Sequence, residues 1–328
     1  MFNFLLILAY LAIGYALKKQ PQCPRETPQV LNFLVLYVAL PAVVLQKIPQ
    51  LELSSRLLIP ALVPWVLLLC TVLLVLCLAR YRRWGMELTA AMLIVLPLGN
   101  TSFLGFPMIQ AFWGEQWLPY AMIYDQAGSF VALATYSTIL AAVYRAKLDQ
   151  IQGSTLANKL ATTPSSRLGN GVSARHIVAK IISFPPFIAL IVAVVLSPWG
   201  YPVLVKNLID SLAVLLVPLI MIAVGFNLDF SQTLQHRGAL VLALGYKLLL
   251  MPLIALLLCL GLNLPLSDKA VQVSIIEAAM PPMISAGAIA ISAGLAPRFV
   301  TALIGIGLLC SFISLPLWFW GLGLLRGY

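Results

Sequence analysis

Asp125 and Glu277 stand inside long apolar stretches, in MIYDQAGSF and SIIEAAMPP. A carboxylate is costly in bilayer hydrocarbon, so one found there faces a partner or a wet cavity and marks an ion or substrate path. Oxygen-bearing neighbours go with them. VLPLGNTSFLGFP, residues 95–107, carries Asn100, Thr101 and Ser102; Gln126 adjoins Asp125, and Ser129 follows four residues on, along the same helical face. Such oxygens hold hard cations, and a buried carboxylate can carry a proton instead. Both readings stay open: Glu277, Asp125, Ser129 and Asn100 are the candidate ion-coupling residues, with Na+ or H+ as the coupling ion and no other cofactor or metal expected. Lys247, in LGYKLLLMP, lies about ten residues into another apolar run. It either snorkels to an interface, pairs with a carboxylate, or serves as counter-charge for an anionic substrate.

Enzyme chemistry is poorly supplied. The two histidines, His176 and His236, fall in loops, which removes a His-assisted nucleophile or a His metal centre from the membrane, and no paired Asp-rich motif for diphosphate chemistry occurs. Cys70, Cys77, Cys259 and Cys310 lie in apolar runs, Cys23 is alone in a loop, and no C-x-x-C appears, so the cysteines read as packing residues.

The residues around the carboxylates also break helices. Gly99 and Asn100 tolerate unusual dihedrals, Asn100, Thr101 and Ser102 can cap a fresh half-helix, and Pro281 and Pro282 suit the first positions of another. Non-helical backbone at mid-membrane depth survives only where protein or a water-filled cavity surrounds it. The two breaks are therefore expected to cross near the midplane, as the broken helices of transporters do. Half-helix amino ends there favour an anion and free carbonyls a cation. The candidate substrate-binding residues are Asn100, Thr101, Ser102, Pro281, Pro282 and Lys247, and the substrate expected is a small organic anion.

These segments belong to a chain of 328 residues, 62% hydrophobic and 9% charged, which reads as an integral membrane protein. At about 20 apolar residues per crossing, ten spans are predicted: 2–17, 30–49, 57–79, 87–113, 117–144, 184–200, 207–227, 239–261, 269–294 and 298–325. The first has no basic residue ahead of it and Lys18 and Lys19 behind it, the reverse of a signal peptide, so it is expected to stay as a span. Residues 146–183 form a polar cytoplasmic linker between a first five-helix repeat, 1–145, and a second, 184–328. Five spans on either side force opposite orientations, so the fold class expected is an all-α membrane protein of two inverted repeats with broken crossing helices 4 and 9. Pro41 and Pro218, and Pro107 and Pro282, sit at similar offsets in the two halves.

Loops after odd-numbered spans hold 14 of the 20 Lys and Arg residues and the even-numbered side 5, which places both termini away from the cytoplasm. The same asymmetry accounts for the net charge of +10 through anionic lipid headgroups, with no nucleic-acid partner. The partners expected are the lipid bilayer and the substrate, with a homodimer left open, in a bacterial inner (plasma) membrane.

At GNTSFLGFPMIQAFWGEQ, YDQAGS, AAMPPMISAGAIA, LAPRF and LPAVVLQKIP the chain resembles the auxin efflux carrier family of permeases, over essentially its whole length. The resemblance implies ten helices of the bile acid sodium symporter type, with spans 3–5 and 8–10 moving as an elevator-like transport domain against a scaffold of spans 1, 2, 6 and 7. It implies secondary transport of small organic acids such as auxin or malonate. It places Asn100 and Thr101 at the substrate-facing crossover, and Glu277, Asn100 and Ser129 where the symporters hold sodium. Pro281 and Pro282 replace the helix-breaking Gln-Asn of those symporters, which puts one of two sodium positions in question. An ion channel or membrane sensor on the same fold is the alternative.

Overall fold

The computed structural model describes residues 2–24, 26–50, 55–157, 184–197, 199–227 and 236–325. Every regular element among them is helical; the one β-type pairing is an isolated bridge between Gly99 and Pro282. In chain order the helices are α1 (Phe2–Lys18), α2 (Thr27–Lys47), α3 (Leu58–Arg82), α4 (Met86–Val95), α5 (a π-helical turn Thr101–Gly105 leading into Phe106–Trp113), α6 (Glu115–Leu148), α7 (Pro185–Leu196), α8 (Val203–Asn227), α9 (Arg237–Gly261), α10 (Lys269–Ala278), α11 (Ile284–Ser292) and α12 (Pro297–Leu325).

Six of these, α2, α3, α6, α8, α9 and α12, are long and apolar enough to cross a membrane unaided. A bilayer core of about 30 Å takes about 20 helical residues, and the α3 helix has 25 and α12 has 29. The shorter α4, α5, α10 and α11 are the pieces of the two interrupted runs. The α6 helix continues through Thr138–Ala157, into the stretch expected to be linker. Its polar extension, AKLDQIQGSTLA, is rich in Ala, Leu, Lys and Gln, good helix formers that propagate an existing helix without apolar packing. The remainder of the linker, 158–183, including its amphipathic end and His176, lies outside the described residues, as do Arg25 and Arg326.

Two close packings set the frame. The α1 and α8 helices touch backbone to backbone: a Cβ on Gly14 would lie 2.1 Å from the Ile222 carbonyl oxygen, and one on Gly225 would lie 2.2 Å from that of Leu11. Small residues permit such approach where lipid removes the hydrophobic drive for helix association. Gly128 likewise receives the Pro64 ring of α3 against α6. In SAGAIAISAG the small residues allow close packing, Gly287 lying under the Ile304 side chain of α12.

Candidate functional site: the crossing of two interrupted helices

Helix α4 stops at Val95 and α5 resumes at Thr101; α10 stops at Ala278 and α11 resumes at Ile284. The two gaps lie against each other. Asn100 N donates to the Pro281 carbonyl at 2.8 Å, and Met283 N donates to the Leu98 carbonyl at 3.1 Å, on either side of the Gly99–Pro282 bridge. Backbone groups freed by the interruptions are thus satisfied by one another, away from lipid. Gly99 suits the contact, for a Cβ there would already press the Glu277 carbonyl oxygen and Met280 Cβ at 3.3 Å.

The local roles differ from the predicted ones. Pro281 and Pro282 do not start α11; they occupy the gap, and Met283 is the N-cap. Proline lacks an N–H, but its carbonyl still accepts, and the crossing uses that of Pro281. The side chain of Asn100 does not cap α5; its main-chain carbonyl accepts from Leu104 N and Gly105 N. Thr101 and Ser102 turn outward from their own helix to α6.

There they meet Asp125. Thr101 Oγ1 donates to Asp125 Oδ1 at 2.5 Å, Ser102 Oγ donates to the same oxygen at 2.6 Å, and Gln126 Nε2 donates to Oδ2 at 2.8 Å. Asp125 is 2% exposed, so these three donors replace the water it has lost. Ser129 is buried but is not among them.

Glu277 ends α10 fully buried, with neither carboxylate oxygen hydrogen-bonded. It fills the space left by Gly105 of α5, where a Cβ would stand 2.4 Å from Oε2 and 2.6 Å from Oε1. Gly105 φ is −58°, so the glycine supplies room rather than backbone freedom. The Asn100 amide nitrogen and the Gln126 amide oxygen are also buried without partners. One side of the crossing therefore offers a donor, Asn100 Nδ2, beside acceptors on Glu277 and Gln126. Among the described residues no three His, Cys, Asp or Glu side chains group as metal ligands, so a cation beside Glu277 would complete its shell with amide, hydroxyl and carbonyl oxygens.

Lys247 fits neither bland expectation. It is fully buried, so it does not snorkel, and Nζ donates to Met251 Sδ at 3.1 Å rather than to a carboxylate. It lies in a π-helical turn of α9, Tyr246–Leu250, whose Tyr246 hydroxyl bonds Thr71 of α3 at 2.7 Å. No hydrogen bond or ion pair joins Lys247 to the crossing residues.

Sequence reasoning missed three features. Gln126 was visible as a neighbour but not as the donor to Asp125. Gly105 had a signal in its small size within GNTSFLGFP. Lys47 of α2, 9% exposed, pairs with Glu115 at the start of α6 at 2.6 Å, and Glu115 also accepts from Gln110 at 2.9 Å. That pair borders a cavity of about 340 Å³ between α1, α2, α5 and α8, and Gln46 beside it donates to Asp210 of α8 at 2.7 Å. These partners sit far apart in sequence, so no local pattern announces them.

The model of the family described as membrane transport protein matches residues 1–319. The chain belongs to this family, that of the auxin efflux carriers. An uncharacterized transporter of Methanothermobacter thermautotrophicus is 28% identical over 324 residues, covering 95% of each chain. Another, of Methanocaldococcus jannaschii, is 24% identical over 327 residues, covering 96% of each. The membrane transport protein described here is thus an integral membrane protein of a transporter family along its full matched length.

Proposed function

We propose that this protein is a secondary active transporter for a small organic anion, such as a carboxylate, which binds where the two interrupted helices cross. The observation that carries the reading is the mutual pairing of the gaps through Asn100, Pro281, Leu98 and Met283, with Asp125 and Glu277 buried alongside. Counting α4 with α5 and α10 with α11 as single crossings gives ten, five in each half, and an inverted repeat. In this reading α3–α6 and α9–α12 move as one elevator-like body against α1, α2, α7 and α8. The Lys47–Glu115 pair and its cavity then lie where the moving and fixed parts meet.

The substrate's carboxylate is met by Asn100 Nδ2 and the amino ends of α5 and α11, whose dipoles favour negative charge. Lys247 adds its positive charge to the same body at longer range. Glu277, with Gln126 and the Asp125 cluster, takes the coupling cation, Na+ or H+. A buried acceptor left without a donor is costly, and a bound cation or proton removes that cost, so loading of ion and substrate are linked.

Uptake of radiolabelled carboxylic acids into proteoliposomes, under imposed sodium, proton and voltage gradients, tests this. Concentrative uptake under one gradient is expected, and no uptake of any acid under all three contradicts the proposal. Glu277→Gln, which keeps the shape, is expected to fold and to lose the dependence of uptake on sodium or proton gradient. Unchanged cation dependence in that variant removes Glu277 from the coupling step.

A further inference from the structure

At the end of the molecule away from the Lys47–Glu115 pair, the connections that follow α3 and α11 meet His236, the residue before α9, at one cavity of about 670 Å³. Among the described residues its lining includes Arg83, His236 and Arg298, with Trp84 and Phe299 as aromatic walls and one acidic residue, Glu87. Three helices start there, α4 at Met86, α9 at Arg237 and α12 at Pro297. None of the three starts is capped by a side chain. Gly85 and His236 make no cap hydrogen bond, and Ala296, which precedes α12, has no polar atom to offer. The first-turn amides of α4 and α9, and those of α12 beyond Pro297, which has no N–H, therefore keep their donors beside two guanidinium groups and an imidazole. Neither arginine is engaged: the ion pairs among the described residues are Lys47–Glu115 and Arg56–Asp268. Arg83 and His236 adopt left-handed backbone, with φ of 52° and 55°, and Ala296 has φ of 42°. All three stand immediately before or close to the helix starts that line the cavity.

We propose that this cavity binds a phosphate group. Planar guanidinium groups match phosphate oxygens in pairs, and uncapped helix starts add N–H donors and a favourable dipole. A carboxylate substrate is a poorer match to so many converging donors than a tetrahedral anion with three or four oxygens. The group comes either from an anionic lipid headgroup, for which Trp84 gives the interfacial aromatic wall, or from a soluble phosphoanion. The lining residues belong to α3, α4, α6, α9 and α12 or directly adjoin them, the set of helices proposed to move together, so occupancy ties their ends to one another. The site is independent of the crossing and of its substrate.

The test is thermal unfolding of the full chain in a neutral detergent, titrated separately with inorganic phosphate, with short-chain phosphatidylglycerol and with short-chain phosphatidylcholine. A ligand of the native state raises the midpoint with concentration. A rise with phosphate assigns a soluble phosphoanion, a rise with phosphatidylglycerol alone assigns a headgroup, and either supports the site. In Arg83→Gln/Arg298→Gln the apparent affinity is expected to fall about tenfold or more, the loss of about 1.4 kcal/mol or more of charge-assisted bonding. In Arg80→Gln/Arg82→Gln, which removes equal charge from the preceding helix end outside the cavity, it is expected to stay. Should the first pair fail to fold, Glu87→Gln gives the converse reading, tighter binding once the competing carboxylate is gone. No rise with either phosphate-bearing probe, an equal rise with phosphatidylcholine, or equal losses in both arginine pairs overturns the proposal.

Discussion

Asp125→Ala is expected to abolish uptake and to lower the unfolding midpoint by several degrees. The carboxylate ties α6 to the start of α5 through Thr101 and Ser102, and holds Gln126 on its other oxygen. Removing it leaves three donors around a buried hole, and each orphaned buried group costs about 1–3 kcal/mol. The loss falls on the turn that presents Asn100 to the crossing, so geometry suffers along with stability. Asp125→Asn keeps one acceptor for the hydroxyls but turns a donor or a poorer acceptor toward Gln126, and a smaller loss is expected. Uptake assays with thermal unfolding of the same preparations check both, and wild-type transport in Asp125→Ala would show that the cluster has no part in the site.

The second large effect lies far from the crossing. Gly225→Ala places a methyl group 2.2 Å from the Leu11 carbonyl oxygen of α1, an atom that cannot swing aside because it belongs to a helix backbone. The α1 and α8 helices must separate, and overpacking of this kind costs about 1–3 kcal/mol or more. Gly14→Ala meets the Ile222 carbonyl at 2.1 Å across the same contact. The double variant is expected to cost less than the two single costs combined, since one separation relieves both clashes. Gly238→Ala is the control: no atom lies within 4 Å of its Cβ, and its midpoint is expected to hold or rise slightly. Folded yield and unfolding midpoint in detergent read all four variants.

The helical class and the positions of the two interruptions were legible because glycine, asparagine and paired prolines have few roles in apolar runs. Their partners were not. Pairing of Asn100 with Pro281 uses backbone groups, which every residue carries, so sequence pattern shows where a helix stops and not which carbonyl it then finds. The distinction between capping and crossing was lost for the same reason: Thr101 and Ser102 are ordinary capping residues, and only the approach of α6 turns their hydroxyls to Asp125. For Lys247, one-dimensional hydropathy marked a misplaced charge but could not show that Met251 sulfur, and no carboxylate, would receive it.

The crossing is expected to open to water and to hold the substrate, and both properties can be read from the accessibility of Ser102. Ser102 is half-buried beside Asp125, and its replacement by cysteine in a chain whose five native cysteines have become alanine gives a single reporter. A membrane-impermeant, hydrophilic thiol reagent is expected to label that cysteine in membranes, and a transported carboxylate to slow the labelling. Reaction only with a lipid-soluble maleimide, unaffected by any carboxylate, would contradict it.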